Sequence, residues 1–137
     1  METGAQILAR YHAAREFEVK LGAATFRLRL PTPFDERRCA LALNRTDGEL
    51  DQSAGAQWMR DLTAIALVGW QGVTVGDLLQ DGDAAALPFS REMAAALISR
   101  RIDILDELTP AFARVRDERR SQLEADAKNS ASASNGS

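Results

Sequence analysis

The chain has 137 residues, a formal net charge of −3, and apolar and charged contents of 45% and 27%. That length gives one domain able to bury a core without disulfides or metal, and the composition is that of a soluble globular protein. No apolar run approaches a membrane span, the opening Met1, Glu2, Thr3 and Gly4 lacks the parts of a signal peptide, and the net negative charge argues against nonspecific nucleic-acid binding by the whole chain. The single cysteine, Cys39, cannot form an internal disulfide, which agrees with a reducing cytoplasm. Fifteen of the seventeen basic residues are arginine, a bias that a GC-rich genome explains as readily as a function does.

In chain order, residues 3–15 read as a short amphipathic helix with Ile7, Leu8 and Tyr11 on one side. A β-hairpin over residues 16–30 follows. Phe17, Val19 and Leu21 alternate with Glu16, Glu18 and Lys20, and Phe26, Leu28 and Leu30 alternate with Thr25, Arg27 and Arg29. A two-residue type II′ turn at Gly22 and Ala23 sets Val19 against Phe26 and Phe17 against Leu28. The same register sets Glu18 against Arg27 and Glu16 against Arg29, so apolar pairing and charge pairing select one alignment. An isolated ribbon is marginal, and its apolar side must pack on helices.

Thr32, Pro33, Phe34 and Asp35 form a helix start, with threonine as cap, proline at the first position and acid in the first turn; this helix is expected to reach Arg45. Thr46, Asp47 and Gly48 break it. Ser53 is then expected to cap a helix through Val68 that buries Trp58, Leu62 and Ile65, with Gly69 as its C-terminal glycine and Trp70 just outside. Asp81, Gly82 and Asp83 make a turn, and Ser90 caps a helix to about Arg100 that buries Met93, Leu97 and Ile98, with Glu92 favourable at its positive end. Ile102, Leu105 and Leu108 continue the apolar stripe. Pro110 either kinks this helix or starts another, and Phe112 and Val115 extend the stripe. From Ala127 the sequence is Ser, Ala, Asn and Gly rich and is expected to be disordered. The fold class is thus α+β: one predominantly helical domain over residues 1–126, with an N-terminal hairpin packed on a helical bundle of residues 33–126, and a polar tail over 127–137.

Chemistry is sparse. His12, the only histidine, has no partner at ligand spacing, so neither a metal site nor a Cys39 nucleophile has the base or ligands it needs. Asp77, Asp81 and Asp83 lack the ligand alternation and closing glutamate of a calcium loop. Asp103, Asp106 and Glu107 stand at helical spacing from Arg100 and Arg101, as on an exposed paired face. Gly69, Gly72 and Gly76 do not give a phosphate loop. No catalytic, cofactor or metal residue is assigned, and no enzyme activity is expected. Arg114, Arg116, Arg119 and Arg120 could contact phosphate, but Asp117, Glu118, Glu124 and Asp126 interleave with them and favour a self-compensated helix.

The stretch Gly69, Trp70, Gln71, Gly72 and Val73, then the Gly/Asp-rich turn, then Leu87, Pro88, Phe89 and Ser90, resembles the tail assembly chaperones of long-tailed (siphovirus-type) bacteriophages. An N-terminal hairpin leading into Pro31, Thr32 and Pro33 also fits that family, so the resemblance reaches from about Phe17 to about Ile98; residues 76–80 lengthen the loop relative to the pattern. It implies a non-enzymatic protein of the host cytoplasm, absent from the mature virion, that holds the tape measure protein soluble and promotes tail-tube assembly. It also implies a long form made by programmed frameshift, through which the tail-tube protein is engaged. Ala127, Lys128 and Asn129 permit a slippery A-AAA-AAC run, consistent with the short-form product. Candidate partner-binding residues are Trp70, Val73, Phe89, Leu105, Phe112 and Val115, each of which has core packing as its competing role. The alternative function is a small helical regulatory or nucleic-acid-binding adaptor that uses the Arg-rich C-terminal helix.

Overall fold

The computed structural model describes the backbone of residues 1–44 and 52–135 and the side chains of residues 1–40 and 55–129. Its elements run α1 (Gly4–Ala13), β1 (Glu16–Leu21), β2 (Ala24–Arg29), α2 (Pro33–Asn44), α3 (Gln52–Ala66), β3 (Leu67–Gln71), α4 (Val75–Leu79), α5 (Arg91–Arg100) and α6 (Ile102–Asn135). The result is an α+β domain in which the hairpin packs on helices. The expected break at Thr46, Asp47 and Gly48 lies outside the described residues, and Ser53, expected as the cap of the next helix, instead lies inside α3, which already begins at Gln52.

The hairpin forms in the register that charge and apolar pairing select: Glu16 opposite Arg29, Phe17 opposite Leu28, Glu18 opposite Arg27 and Val19 opposite Phe26. Gly22 takes φ +61° while Ala23 stays out of the left-handed region, as a type II′ turn requires. Arg29 and Glu16 pair at 2.7 Å. Phe26 and Leu28 are buried, and the ribbon is stabilised by a third strand that pairs antiparallel with β2 to give the order β1-β2-β3.

That third strand corrects the sequence reading. α3 ends at Ala66, and Gly69 and Trp70 lie inside β3, opposite Arg27 and Phe26. A short apolar run is ambiguous between helix and strand, and here the open edge of β2 decides the outcome. The Gly69 position is crossed by Arg27, whose Nη2 would lie 2.9 Å from a Cβ there. Arg91 does the capping assigned to Gly69: its Nη1 donates to the carbonyl oxygens of Ile65 (3.1 Å) and Leu67 (2.9 Å), placing a cation at the negative end of α3. Ile65, expected to be buried, is exposed, while Leu62 is fully buried and Trp58 partly so.

The helix starts follow their caps. Thr32 Oγ1 accepts from the Asp35 amide while Asp35 Oδ2 accepts from the Thr32 amide, a reciprocal box at the start of α2. Ser90 caps α5 through the Met93 amide at 3.0 Å. In α5 Leu97 is buried, and Met93 and Ile98 pack on the core from partly exposed positions. The apolar stripe does not run straight from α5 into α6, because Arg101, at φ −122° and ψ 69°, separates them and leaves Ile102 exposed.

α6 continues through Pro110 as one helix. Pro110 lies on the exposed side, so the bond its missing amide removes falls where water reaches, and Thr109 Oγ1 donates to the Leu105 carbonyl at 2.7 Å. The helix also extends to Asn135, where composition predicts a disordered tail from Ala127; residues 121–129 are exposed, and the alanines and Lys128 are good helix formers. The core sits between the sheet, α3, α5 and the first half of α6, centred on Phe26, Leu28, Leu62, Leu67, Leu97, Leu108 and Phe112.

Candidate interaction surface

Trp70 and Phe89 form a structural corner. Their rings meet edge to face at 4.8 Å, Phe26 meets Trp70 edge to face at 6.4 Å, and the Trp70 indole N–H donates to the Leu87 carbonyl at 2.8 Å. Both rings are only partly buried and pack against the core. The chain between them is held by backbone bonds from Leu87 to Val73 (2.9 Å) and from Val75 to Ala85 (2.8 Å).

Two glycines make this corner possible. Gly72 has φ +78°, and a Cβ there would stand 2.4 Å from the Ala23 carbonyl oxygen; at Gly76 it would stand 2.5 Å from that of Asp81. The second of them lies inside α4, which the sequence does not reveal although its cap is present: Thr74 and Asp77 form a reciprocal box at 3.1 and 2.8 Å. The acidic cluster is used the same way. Asp81 Oδ1 accepts from the Asp83 amide and Asp83 Oδ1 from the Ala85 amide, both at 2.9 Å, so these carboxylates order a turn. Among the described residues no group of three His, Cys, Asp or Glu side chains is gathered as metal ligands.

Three of the six candidate partner-binding residues belong to the interior. Val73, Leu105 and Phe112 are buried, Phe112 completely, and Val115 packs against the core from a partly exposed position. Phe112 stacks on Phe17 at 6.4 Å, so the apolar stripe of the last helix closes the domain under the hairpin. The acid–arginine pairs expected on α6 are only partly formed: Arg101 holds Asp103 through two bonds of 3.0 Å, Asp106 reaches Arg60 at 3.2 Å, and Arg100 donates to Gln80. Arg101 keeps the Asp103 carboxyl below its ordinary range.

Cys39 is buried, and its thiol is pushed above its ordinary value chiefly by burial, then by Asp61 and Asp35. This keeps it protonated and unreactive at neutral pH. His12 faces the Arg15 guanidinium at 3.1 Å and the Tyr11 ring at 5.5 Å.

An exposed apolar stripe lies on α1. The helix is well capped, with Thr3 and Gln6 in a reciprocal box, yet none of its residues is buried. Ile7, Leu8 and Tyr11 are 55%, 56% and 48% exposed, so the amphipathic stripe that predicts a packed helix has nothing of the described residues over it. Tyr11 also lines a groove of about 480 Å³ whose other walls are Leu30 and Pro31 between β2 and α2, Pro33 at the start of α2, and the middle of α6 with Leu123, itself 64% exposed. The walls are fixed by main-chain and ionic bonds. Leu30 donates its amide to the Arg15 carbonyl, Arg15 Nη1 donates to the Leu30 carbonyl at 2.8 Å, Arg119 Nη1 donates to the Ala14 carbonyl at 3.0 Å, and Arg116 pairs with Glu36. Ile7, Leu8 and Leu123 were not among the residues the sequence singled out for binding; periodicity marks an apolar face but not whether anything covers it.

Set against models of protein families, curated proteins and solved structures, the chain has no significant match in any of the three comparisons. No helix of the described residues is long and apolar enough to cross a membrane.

Proposed function

We propose that the chain is a non-enzymatic tail assembly chaperone of a long-tailed bacteriophage, acting in the host cytoplasm to keep the tape measure protein soluble while tail-tube subunits gather, and absent from the finished virion. The observation that supports this reading best is the uncovered stripe of α1, Ile7, Leu8 and Tyr11, continuous at Tyr11 with the apolar groove. A contiguous exposed apolar patch on a capped, ordered helix has the chemistry of a protein-docking surface, and shielding apolar helices of an elongated client calls for no reactive group. The client contact accordingly moves from Leu105, Phe112 and Val115 to α1 and the groove, with Trp70 and Phe89 fixing the sheet to α5. A frameshift-extended form would add the contact to the tail-tube protein.

The test is co-expression with a tape measure protein encoded by the same genome. The proposal expects the client to become soluble and to co-purify with the chain. A client that stays insoluble, together with steeply salt-dependent DNA binding by the chain, would select the nucleic-acid adaptor instead.

A further inference from the structure

We infer that the groove between α1, residues 31–33 and α6 selects one kind of client segment: an amphipathic α-helix whose apolar stripe is flanked by Asp or Glu. The inference deepens the chaperone reading and rests on it for the identity of the client. Its chemical content comes from three features of the groove.

The first is charge. Five charged side chains line it, of which Arg116 and Glu36 neutralise one another. Arg15 and Arg119 donate to the carbonyl oxygens of Leu30 and Ala14, which leaves their charge uncompensated. Arg15 also faces His12 at 3.1 Å and its Nε is buried, so it contributes charge while Arg119 and Arg120 keep donors for a carboxylate. Arg120 has no ion pair among the described residues, and the nearby Asp117 and Glu118 do not line the groove. Three net positive charges thus rim an apolar floor in a chain whose total is −3, and guanidinium groups recognise carboxylates in bidentate fashion.

The second is the state of the backbone. The Leu30 amide and carbonyl and the Ala14 carbonyl are already bonded within the domain. The groove therefore has no ladder to give an extended peptide, and an occupant must satisfy its own backbone, as a helix does.

The third is the aromatic surface. Tyr11 carries the Arg15 guanidinium over its ring at 4.3 Å, which takes one face of the groove's aromatic side chain away from base stacking.

The experiment uses the full chain and a fluorescent peptide of roughly 20 residues, long enough to be helical, with Leu at helical spacing and Glu on both flanks. A counterpart with Lys flanks and a single-stranded oligo-dT are the comparison probes. The expected result is saturable binding of the Glu peptide alone, weakened about tenfold by Arg120→Glu and at least about tenfold by Leu123→Asp, with melting temperature and circular dichroism unchanged. Both substituted residues are exposed, so the variants keep the fold. Equal binding of the two peptides, undiminished binding to the variants, no saturable binding, or displacement of the Glu peptide by oligo-dT would each overturn the inference. If Leu123→Asp still solubilises the tape measure protein, the groove assignment fails and the chaperone reading stands. If the Glu peptide fills the groove but the tape measure protein is not bound, the chaperone reading fails and the groove stands.

Discussion

Truncation of Phe112 to alanine separates a core role from a contact role. The side chain is fully buried, lies against Phe17, and belongs to the cluster that joins α6 to the sheet. Removing a buried phenylalanine destabilises by the lost transfer energy plus the cavity left behind, about 3–5 kcal/mol. The whole domain is held by only about 5–15 kcal/mol, so Phe112→Ala is expected to remove a large part of its stability. Urea denaturation followed by Trp fluorescence measures the effect. The midpoint should fall steeply with little change in slope, and the milder Phe112→Leu should cost about 1–2 kcal/mol. At urea concentrations where Phe112→Leu remains folded, its client binding should equal that of the parent chain. A loss below about 1 kcal/mol for Phe112→Ala, or a binding defect in fully folded Phe112→Leu, would refute the packing argument and return Phe112 to the contact surface.

Four further outcomes follow from the corner and the core. Gly72→Ala places a Cβ 2.4 Å from the Ala23 carbonyl at a left-handed backbone position, and should cost at least about 2 kcal/mol in the same urea assay. Trp70→Phe keeps an aromatic ring against Phe89 but removes the N–H that the Leu87 carbonyl accepts, for an expected loss of about 1–2 kcal/mol and no change in binding to the groove. Cys39 should react with iodoacetamide at pH 8 at least about tenfold more slowly in the native chain than in urea. Because its folded value is raised, the native thiol keeps its proton where the unfolded thiol loses it. Its contribution is fully present below the ordinary value of 9.0 and is lost as pH rises through the folded value, so Cys39→Ala should lessen the fall in stability above about pH 9.

The elements that the sequence predicts well are those where two local criteria agree. The hairpin register satisfies apolar and charge pairing together, and Thr32 and Ser90 are caps whose hydroxyls bond the expected amides. β3 was hidden because residues 67–71 continue the apolar run of α3, and what makes them a strand is pairing with β2, far away in sequence. Gly69 was correspondingly misassigned, since the cation that ends α3 comes from Arg91 in a later helix.

The same limit governs the surface. An apolar stripe looks identical in sequence whether it is covered, as at Leu105, Leu108 and Phe112, or bare, as at Ile7, Leu8 and Tyr11. Only the packing of α6 under the hairpin, and the absence of any such cover over α1 among the described residues, distinguishes them. The Trp70 and Phe89 element reads in sequence as a link between two helices, whereas Trp70 lies in β3 and the positions that hold the element, Gly72 and Gly76, act through carbonyl groups on other segments.

Hydrogen exchange on the chain with and without a tape measure protein, its proposed client, tests the central claim most directly. The account predicts new amide protection in α1, residues 4–13, and added protection of α6 across residues 116–123, with the already buried amides around Phe112 unchanged. Protection confined to the corner between Trp70 and Phe89, or to the first turns of α6, with α1 exchanging as in the free chain, would contradict it.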